Sequence, residues 1–111
     1  MSDTPLYAQL AAGVRTDAAE GRLRPGDRLP AAREVADSLG INLHTVLRAY
    51  QELRDEGLVD MRRGRGAVIT DAAGPLAVLH SEIVALARAA RTAGLSPDAL
   101  ASLVKEAARA S

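Results

Sequence analysis

The stretch from residue 31 to residue 53 constrains the fold most strongly, because it reads as two short helices that meet at a tight turn. Apolar residues recur at helical spacing on either side of Gly40, which predicts one helix over residues 32–39 and another over residues 43–56. Glycine suits the left-handed conformation that ends the first helix, and Asn42 can cap the second with its side-chain oxygen. This spacing is that of a helix-turn-helix.

The two faces of the predicted second helix differ in chemistry. One face would pack against the first helix, where Ala36 is small enough to allow a close approach. The other buried contacts that we expect to fix the crossing angle come from Val35, Leu39, Ile41, Val46 and Ala49. Leu43 and Leu47 form an apolar pair off this stripe, which could pack at the edge of the core or meet thymine methyl groups. The face left free by the core, which we call the recognition face, carries His44, Thr45, Leu47, Arg48 and Gln51.

A β-hairpin is predicted directly after this motif. Two short apolar runs rich in Val and Ile, residues 58–61 and 67–70, are joined by Arg-Arg-Gly-Arg-Gly at residues 62–66. By itself the joining run could equally be a solvated turn, but beside the recognition face we favour contact with DNA. A helix-turn-helix followed at once by such a hairpin is a winged helix.

Another helix is predicted ahead of the motif, over residues 4–20. Thr4 would be its N-cap, Pro5 would take the favoured first position, and Gly21 would end it. Its apolar stripe would consist of Leu6, Leu10 and Val14. The fold class is therefore expected to be mainly α with a small β-hairpin: a winged helix-turn-helix followed by a C-terminal α-helical hairpin.

The C-terminal hairpin is predicted from two helical patterns. After a linker over residues 71–74, Pro75 begins a helix with a narrow apolar seam at 3,4 spacing, and Gly94 ends it. Ser96 caps the next helix, with Pro97 at its first position. A lone helical hairpin has no further layer to cover the seam, so we expect a second copy of the chain to cover it. The predicted dimerisation residues are Leu76, Leu79, Ile83, Leu86, Leu100 and Leu103.

Short motifs along residues 5–70 point to one family. They are Pro5-Leu6-Tyr7, Gly21-x-Leu23-x-Pro25-Gly26-Asp27-x-Leu29-Pro30, Arg33-Glu34, Leu39-Gly40-Ile41-Asn42, Thr45-Val46, Leu53, Glu56-Gly57-Leu58-Val59 and Arg63-Gly64-Arg65-Gly66. Together they resemble the GntR family of bacterial transcription regulators. Asn42-x-x-Thr45-Val46-x-Arg48-Ala49-Tyr50 and the short tail resemble its YtrA-like subfamily. The chain departs from the pattern at Ala31, where the family often has Ser, and at Leu43 and His44, where the subfamily commonly has Pro and Asn.

The resemblance implies a sequence-specific DNA-binding regulator that acts as a homodimeric repressor on an inverted-repeat operator. The helix over residues 43–56 would enter the major groove, and the hairpin tip over residues 62–66 would touch the adjacent minor groove or the backbone. The expected DNA-binding residues are Arg33, Asn42, His44, Thr45, Arg48, Arg62, Arg63, Arg65 and Gly66.

Composition argues against other classes of protein. The chain has 14 basic and 14 acidic residues, so attraction for DNA has to come from arginines clustered on one face rather than from net charge. It has no cysteine, and neither His44 nor His80 lies in a metal-ligand or nucleophile pattern. We therefore expect no enzymatic activity, no metal and no organic cofactor. Neither a signal peptide nor a membrane span is apparent, which favours a cytoplasmic protein.

The predicted division of the chain follows from these patterns. Residues 1–71 would form the winged helix-turn-helix DNA-binding domain, and residues 72–111 the two-helix dimerisation tail. One alternative is an effector-responsive regulator with a small-molecule site in the tail, lined by Leu86, Leu100 and Leu103. Another is a non-catalytic protein-interaction module, which an absence of salt-sensitive DNA binding would favour.

Overall fold

A computed structural model describes residues 4–110 and shows five helices and two strands among them. In chain order these elements are α1 (Leu6–Ala19), α2 (Ala32–Leu39), α3 (Leu43–Asp55), β1 (Val59–Arg62), β2 (Gly66–Ile69), α4 (Ala73–Thr92) and α5 (Pro97–Ala110). The order and type of the elements confirm the predicted fold class. Contacts divide the chain into two compact units, and the division falls between Val78 and Leu79. This division lies within α4. The assignment of residues 1–71 to DNA binding and of residues 72–111 to dimerisation stays a prediction.

Helix α3 is the centre of the first unit, because α1, α2 and β1 all pack against it. Its Val46, Ala49 and Leu53 have no solvent exposure, as their i, i+3, i+7 spacing predicted. Val59 and Ile69 bring the hairpin into the same core. Burying a large aliphatic side chain contributes about 1.5–3 kcal/mol, so these contacts are the main force that fixes α3 in place.

The turn between α2 and α3 has the predicted geometry. Gly40 has a φ of 65°, in the left-handed region, and Asn42 caps α3 by accepting a hydrogen bond from the His44 amide at 2.8 Å. The prediction that Leu39 is buried was wrong, since its side chain is 57% exposed. Helix α2 ends at this residue, and Ile41, on the far side of the glycine, packs against the core instead.

Helix α1 begins later than predicted and is rotated relative to the expected stripe. Pro5 is its N-cap, and the Pro5 carbonyl accepts the first amide hydrogen bonds of the helix, so Thr4 lies outside it. Leu6 is exposed rather than buried. The face that packs on the core consists of Tyr7, Leu10, Ala11, Val14 and Ala18. The small residues Ala11 and Ala18 carried no clear apolar signal in the sequence, which explains the error.

Strands β1 and β2 form the wing, an antiparallel hairpin whose register runs from Val59 opposite Ile69 to Arg62 opposite Gly66. Each strand is displaced by one residue from its prediction, so the tip consists only of residues 63–65. A bridge between Arg28 and Val68 ties the segment before α2 to the wing. The sequence did not predict this bridge, because nothing local to residue 28 signals a strand.

The first helix of the tail begins at a different residue from the one predicted. Helix α4 starts at Ala73 rather than Pro75, and both Ala73 and Leu76 pack against the core of the first unit. Leu76, predicted for the dimer seam, is therefore partly covered by its own chain. In the second unit the Ser96 hydroxyl accepts a hydrogen bond from the Ala99 amide at 3.1 Å, which confirms the predicted cap of α5. Helix α5 has no buried residue.

Tyr50 provides a test of the packing between α3 and the segment before α2. Its hydroxyl donates a hydrogen bond to the Pro30 carbonyl at 2.7 Å. Tyr50→Phe should lower the free energy of unfolding by about 1 kcal/mol, since a partly buried hydrogen bond to the Pro30 carbonyl is lost. Urea denaturation at neutral pH measures this loss, and an unchanged midpoint would contradict it.

The pH dependence of stability gives a second readout of the same site. Burial, followed by the charge of Glu34, raises the pKa of Tyr50 above its ordinary value of 10.0. A raised pKa means that folding favours the neutral phenol, so the contribution is complete below the ordinary pKa and is lost as pH rises through the folded pKa. Tyr50→Phe should therefore make the alkaline decline in stability shallower than in the unmodified chain.

Candidate DNA interface

The nine residues predicted to bind DNA all lie in the first unit, on α2, on α3 with its N-cap, and on the wing. Thr45 is half-buried, and the other eight are exposed: Arg33, Asn42, His44, Arg48, Arg62, Arg63, Arg65 and Gly66. Exposure of this kind is what a contact with a large polyanion requires, because the cationic side chains keep their hydrogen-bond donors available.

A groove of about 590 Å³ joins α3 to the wing. Leu47 and Gln51 of the recognition face line one side, and Arg65 and Gly66 of the wing line the other. The wing and the recognition face therefore form one surface, as a winged helix requires. Residues that the sequence did not single out also line this groove, and among them are Arg28, Arg54 and Met61.

The two leucines whose role was left open take different positions. Leu43 is half-buried and packs against the core. Leu47, one turn later, is 44% exposed and lines the groove. Of the pair, only Leu47 is thus placed where an apolar contact with a thymine methyl group is sterically available.

The three arginines of the wing differ in whether an acidic side chain pairs with them. Arg62 lies in β1, and its Nε is 3.5 Å from a carboxylate oxygen of Asp60, so part of its charge is offset within the strand. Among the described residues, Arg63 and Arg65 form no ion pair with an acidic side chain. Gly64 between them has a φ of 79°, in the left-handed region that glycine adopts without strain. The tip therefore presents two unneutralised guanidinium groups on a tight turn.

Arg48 has a partner that the sequence did not predict. Its Cζ lies 3.9 Å from the centroid of the Tyr7 ring, and its Nη2 donates a hydrogen bond to the Tyr7 hydroxyl at 3.1 Å. Tyr7 lies in the first turn of α1, 41 residues away along the chain. Such a separation leaves no local pattern, although the Pro5-Leu6-Tyr7 motif marks the tyrosine as part of the family likeness.

Two acidic side chains of the α3 region are held by α1. Arg15 donates to Glu52 at 3.2 Å and forms hydrogen bonds with Glu56 through its Nε and Nη2. The hydrogen bond with Glu56 is the main reason why the pKa of Arg15 lies above its ordinary value. Because Arg15 offsets these two carboxylates, the α3 region carries less negative charge, which favours a local positive potential on a chain of zero net charge.

Metal-binding clusters and membrane-spanning helices are both absent from residues 4–110. No three side chains of His, Cys, Asp or Glu come together there in a way that could hold a metal ion. None of the helices in this range is long and apolar enough to cross a membrane.

The chain is similar in sequence to known bacterial regulators. The model of the gntR family of bacterial regulatory proteins matches residues 6–69. The transcriptional repressor YtrA of Bacillus subtilis is 33% identical over 111 residues, which cover 95% of this chain and 85% of that protein.

Two solved structures extend the likeness. YtrA from Sulfolobus acidocaldarius, a GntR-family transcription factor, is 38% identical with a TM-score of 0.60 over 76% of this chain and 90% of its own. The DNA-binding domain of AraR in complex with operator ORR3 is 25% identical with a TM-score of 0.58 over 62% of this chain and 83% of its own. This chain belongs to the GntR family of bacterial regulatory proteins, as a YtrA-like DNA-binding transcription regulator rather than an enzyme.

Proposed function

We propose that this regulator is a repressor that binds an inverted-repeat operator as a homodimer. The B. subtilis relative is a repressor, and the AraR domain binds an operator, which supports repression and operator binding by this chain. Because genomic DNA is the partner, we expect the protein to act in the cytoplasm.

The observation that carries this proposal is the continuous surface formed by the recognition face and the wing. Helix α3 would enter the major groove with His44 and Leu47 toward base edges, and Thr45 and the Asn42 amide group toward phosphate. Arg33 and Arg48 would donate to bases or phosphates at the edge of the groove. The tip, with Arg63 and Arg65, would reach the adjacent minor groove or the backbone.

The tail supports the homodimer. On α4, Leu79, Ile83 and Leu86 are 47%, 49% and 48% exposed, and Leu103 on α5 is 52% exposed. Exposed apolar side chains that recur along one helix mark protein contacts, and a two-fold partner would present the same side chains. Leu100 is half-buried within the second unit and would contribute less. Pairing would place two recognition helices on two half-sites of the operator.

Salt-dependent binding tests the DNA-contact assignment. Arg63→Ala with Arg65→Ala should weaken binding to every duplex and reduce the slope of log K against log salt by about 0.9 for each phosphate that is no longer neutralised. His44→Ala or Arg48→Ala should instead change the ranking of operator sequences, by about 1–3 kcal/mol for each base whose recognition is removed. Fluorescence anisotropy with an operator and its scrambled variant, at several salt concentrations, measures both.

Arg22→Ala is the matched control for these variants. Arg22 is exposed and pairs with Asp17 and Glu20 beyond the end of α1, so its replacement removes one positive charge without touching the recognition face or the wing. Affinity and salt slope should stay close to those of the unmodified protein. If all the interface variants behave like Arg22→Ala, then the assigned face is not the one that binds DNA.

A further inference from the structure

The contact between Tyr7 and Arg48 links helix α1 to the recognition face. We propose that Tyr7 is a positioning residue, which holds the Arg48 guanidinium in the orientation that it uses on operator DNA. This inference rests on the proposed function, because it assumes that the recognition face enters the major groove.

The geometry leaves Arg48 available while restricting its motion. The ring of Tyr7 covers one face of the guanidinium at 3.9 Å, and one N–H group donates to the phenol oxygen. An arginine has five N–H donors in a rigid fork, so the remaining donors and the opposite face stay open to DNA. A free arginine on an exposed helix loses rotamer freedom on binding, and a stacked one has already lost most of it.

The acidic residues near Arg48 explain why a contact with Tyr7 would be useful. Glu52 lies four residues after Arg48, at the spacing at which opposite charges on a helix pair, and Asp55 lies one turn beyond. All three line one small cavity of about 180 Å³ together with Tyr7 and Gln51. An Arg48 pairing with Glu52 would neutralise the cation and turn its donors away from DNA.

Helix α1 prevents this pairing from two positions. Tyr7, in its first turn, contacts Arg48, and Arg15, two turns later, contacts Glu52 at 3.2 Å. No ion pair joins Arg48 to an acidic group among the described residues. Thus α1, which contributes no residue to the predicted DNA contacts, keeps the positive charge of Arg48 on α3 available for DNA.

A double-mutant cycle in the full-length protein tests this role. Tyr7→Leu keeps an apolar side chain on the core but removes the aromatic face, and it should weaken operator binding ~2- to 5-fold, the range expected for an exposed cation–π contact. In the Arg48→Ala background the same change should have no further effect. Tyr7→Phe, which keeps the ring and loses the hydroxyl, should retain most of the affinity.

Two readouts separate positioning from a structural role. Thermal denaturation reports any loss of folding, and Tyr7→Met replaces Tyr7→Leu if the latter unfolds. NMR relaxation of the Arg48 Nε–H group in the free protein should show greater mobility in Tyr7→Leu than in the unmodified chain. Equal losses of affinity in both backgrounds, or an unchanged Arg48 mobility, would overturn the inference.

The wing variants distinguish this inference from the proposed function. If Arg63→Ala with Arg65→Ala weakens binding while Tyr7→Leu does not, only the positioning role of Tyr7 fails. If neither has an effect, the DNA interface itself lies elsewhere.

Discussion

Ile83→Asp combined with Leu86→Asp is expected to convert the regulator into a monomer and to weaken operator binding by ~10² to 10⁴, the advantage that joining two half-site contacts provides. Both side chains are about half exposed on α4, at the seam that a second copy would cover. A charge placed in a desolvated seam costs far more than the apolar contact contributes, so the dimer should dissociate. Sedimentation velocity measures the assembly state, and anisotropy measures the affinity.

Val78→Asp is the control for this variant, since it places an aspartate in the same helix at a position that is 76% exposed and off the seam. It should remain dimeric and bind operator normally. If Ile83→Asp with Leu86→Asp stays dimeric, then the dimer interface lies elsewhere and the tail is left for another role, such as effector binding.

Leu53→Ala should strongly destabilise the first unit. The side chain is fully buried at its centre, where α3 meets the rest of the core. Truncation leaves a cavity and should lower the free energy of unfolding by about 2–5 kcal/mol. Against a total stability of about 5–15 kcal/mol for a typical domain, this decrease is a large fraction.

Leu47→Ala makes the matched comparison on the same helix. Leu47 is partly exposed in the groove, so the same truncation should change stability by less than about 0.5 kcal/mol. Urea denaturation of both variants gives the two changes directly. Similar decreases at the two positions would mean that α3 does not turn Leu53 toward the core and Leu47 toward the groove.

The parts of the fold that the sequence predicted are those with local signals. The helix-turn-helix could be predicted from Gly40, the Asn42 cap and the spacing of the α3 core residues. Each of these signals depends only on residues that are close together in the sequence. The rotation of α1 was missed because alanines form much of its buried face, so larger side chains such as Leu6 dominated the pattern. The exposed end of α2 at Leu39 was missed for a related reason, since periodicity does not show where a core stops.

The parts of the site that were missed depend on contacts between distant residues. The Tyr7 contact with Arg48, and the Arg15 contacts with Glu52 and Glu56, span between 37 and 41 residues. No periodicity or spacing predicts such pairs, because they depend on how α1 is rotated against α3. The exposed cations of the recognition face and wing could be named from sequence, whereas the side chains that hold or release them could not.

The attachment of the wing limits how it can adapt to DNA. The segment before α2 exchanges backbone hydrogen bonds with β2: Gly26 N–H donates to Ile69, Ile69 N–H donates to Asp27 and Leu29 N–H donates to Ala67, at 2.8, 2.8 and 2.9 Å. The wing therefore cannot hinge at its base without breaking these bonds. If the tip enters the minor groove, as proposed, residues 63–65 alone would have to adjust to its width. Operators with a groove too wide or too narrow for this short tip would then bind less well.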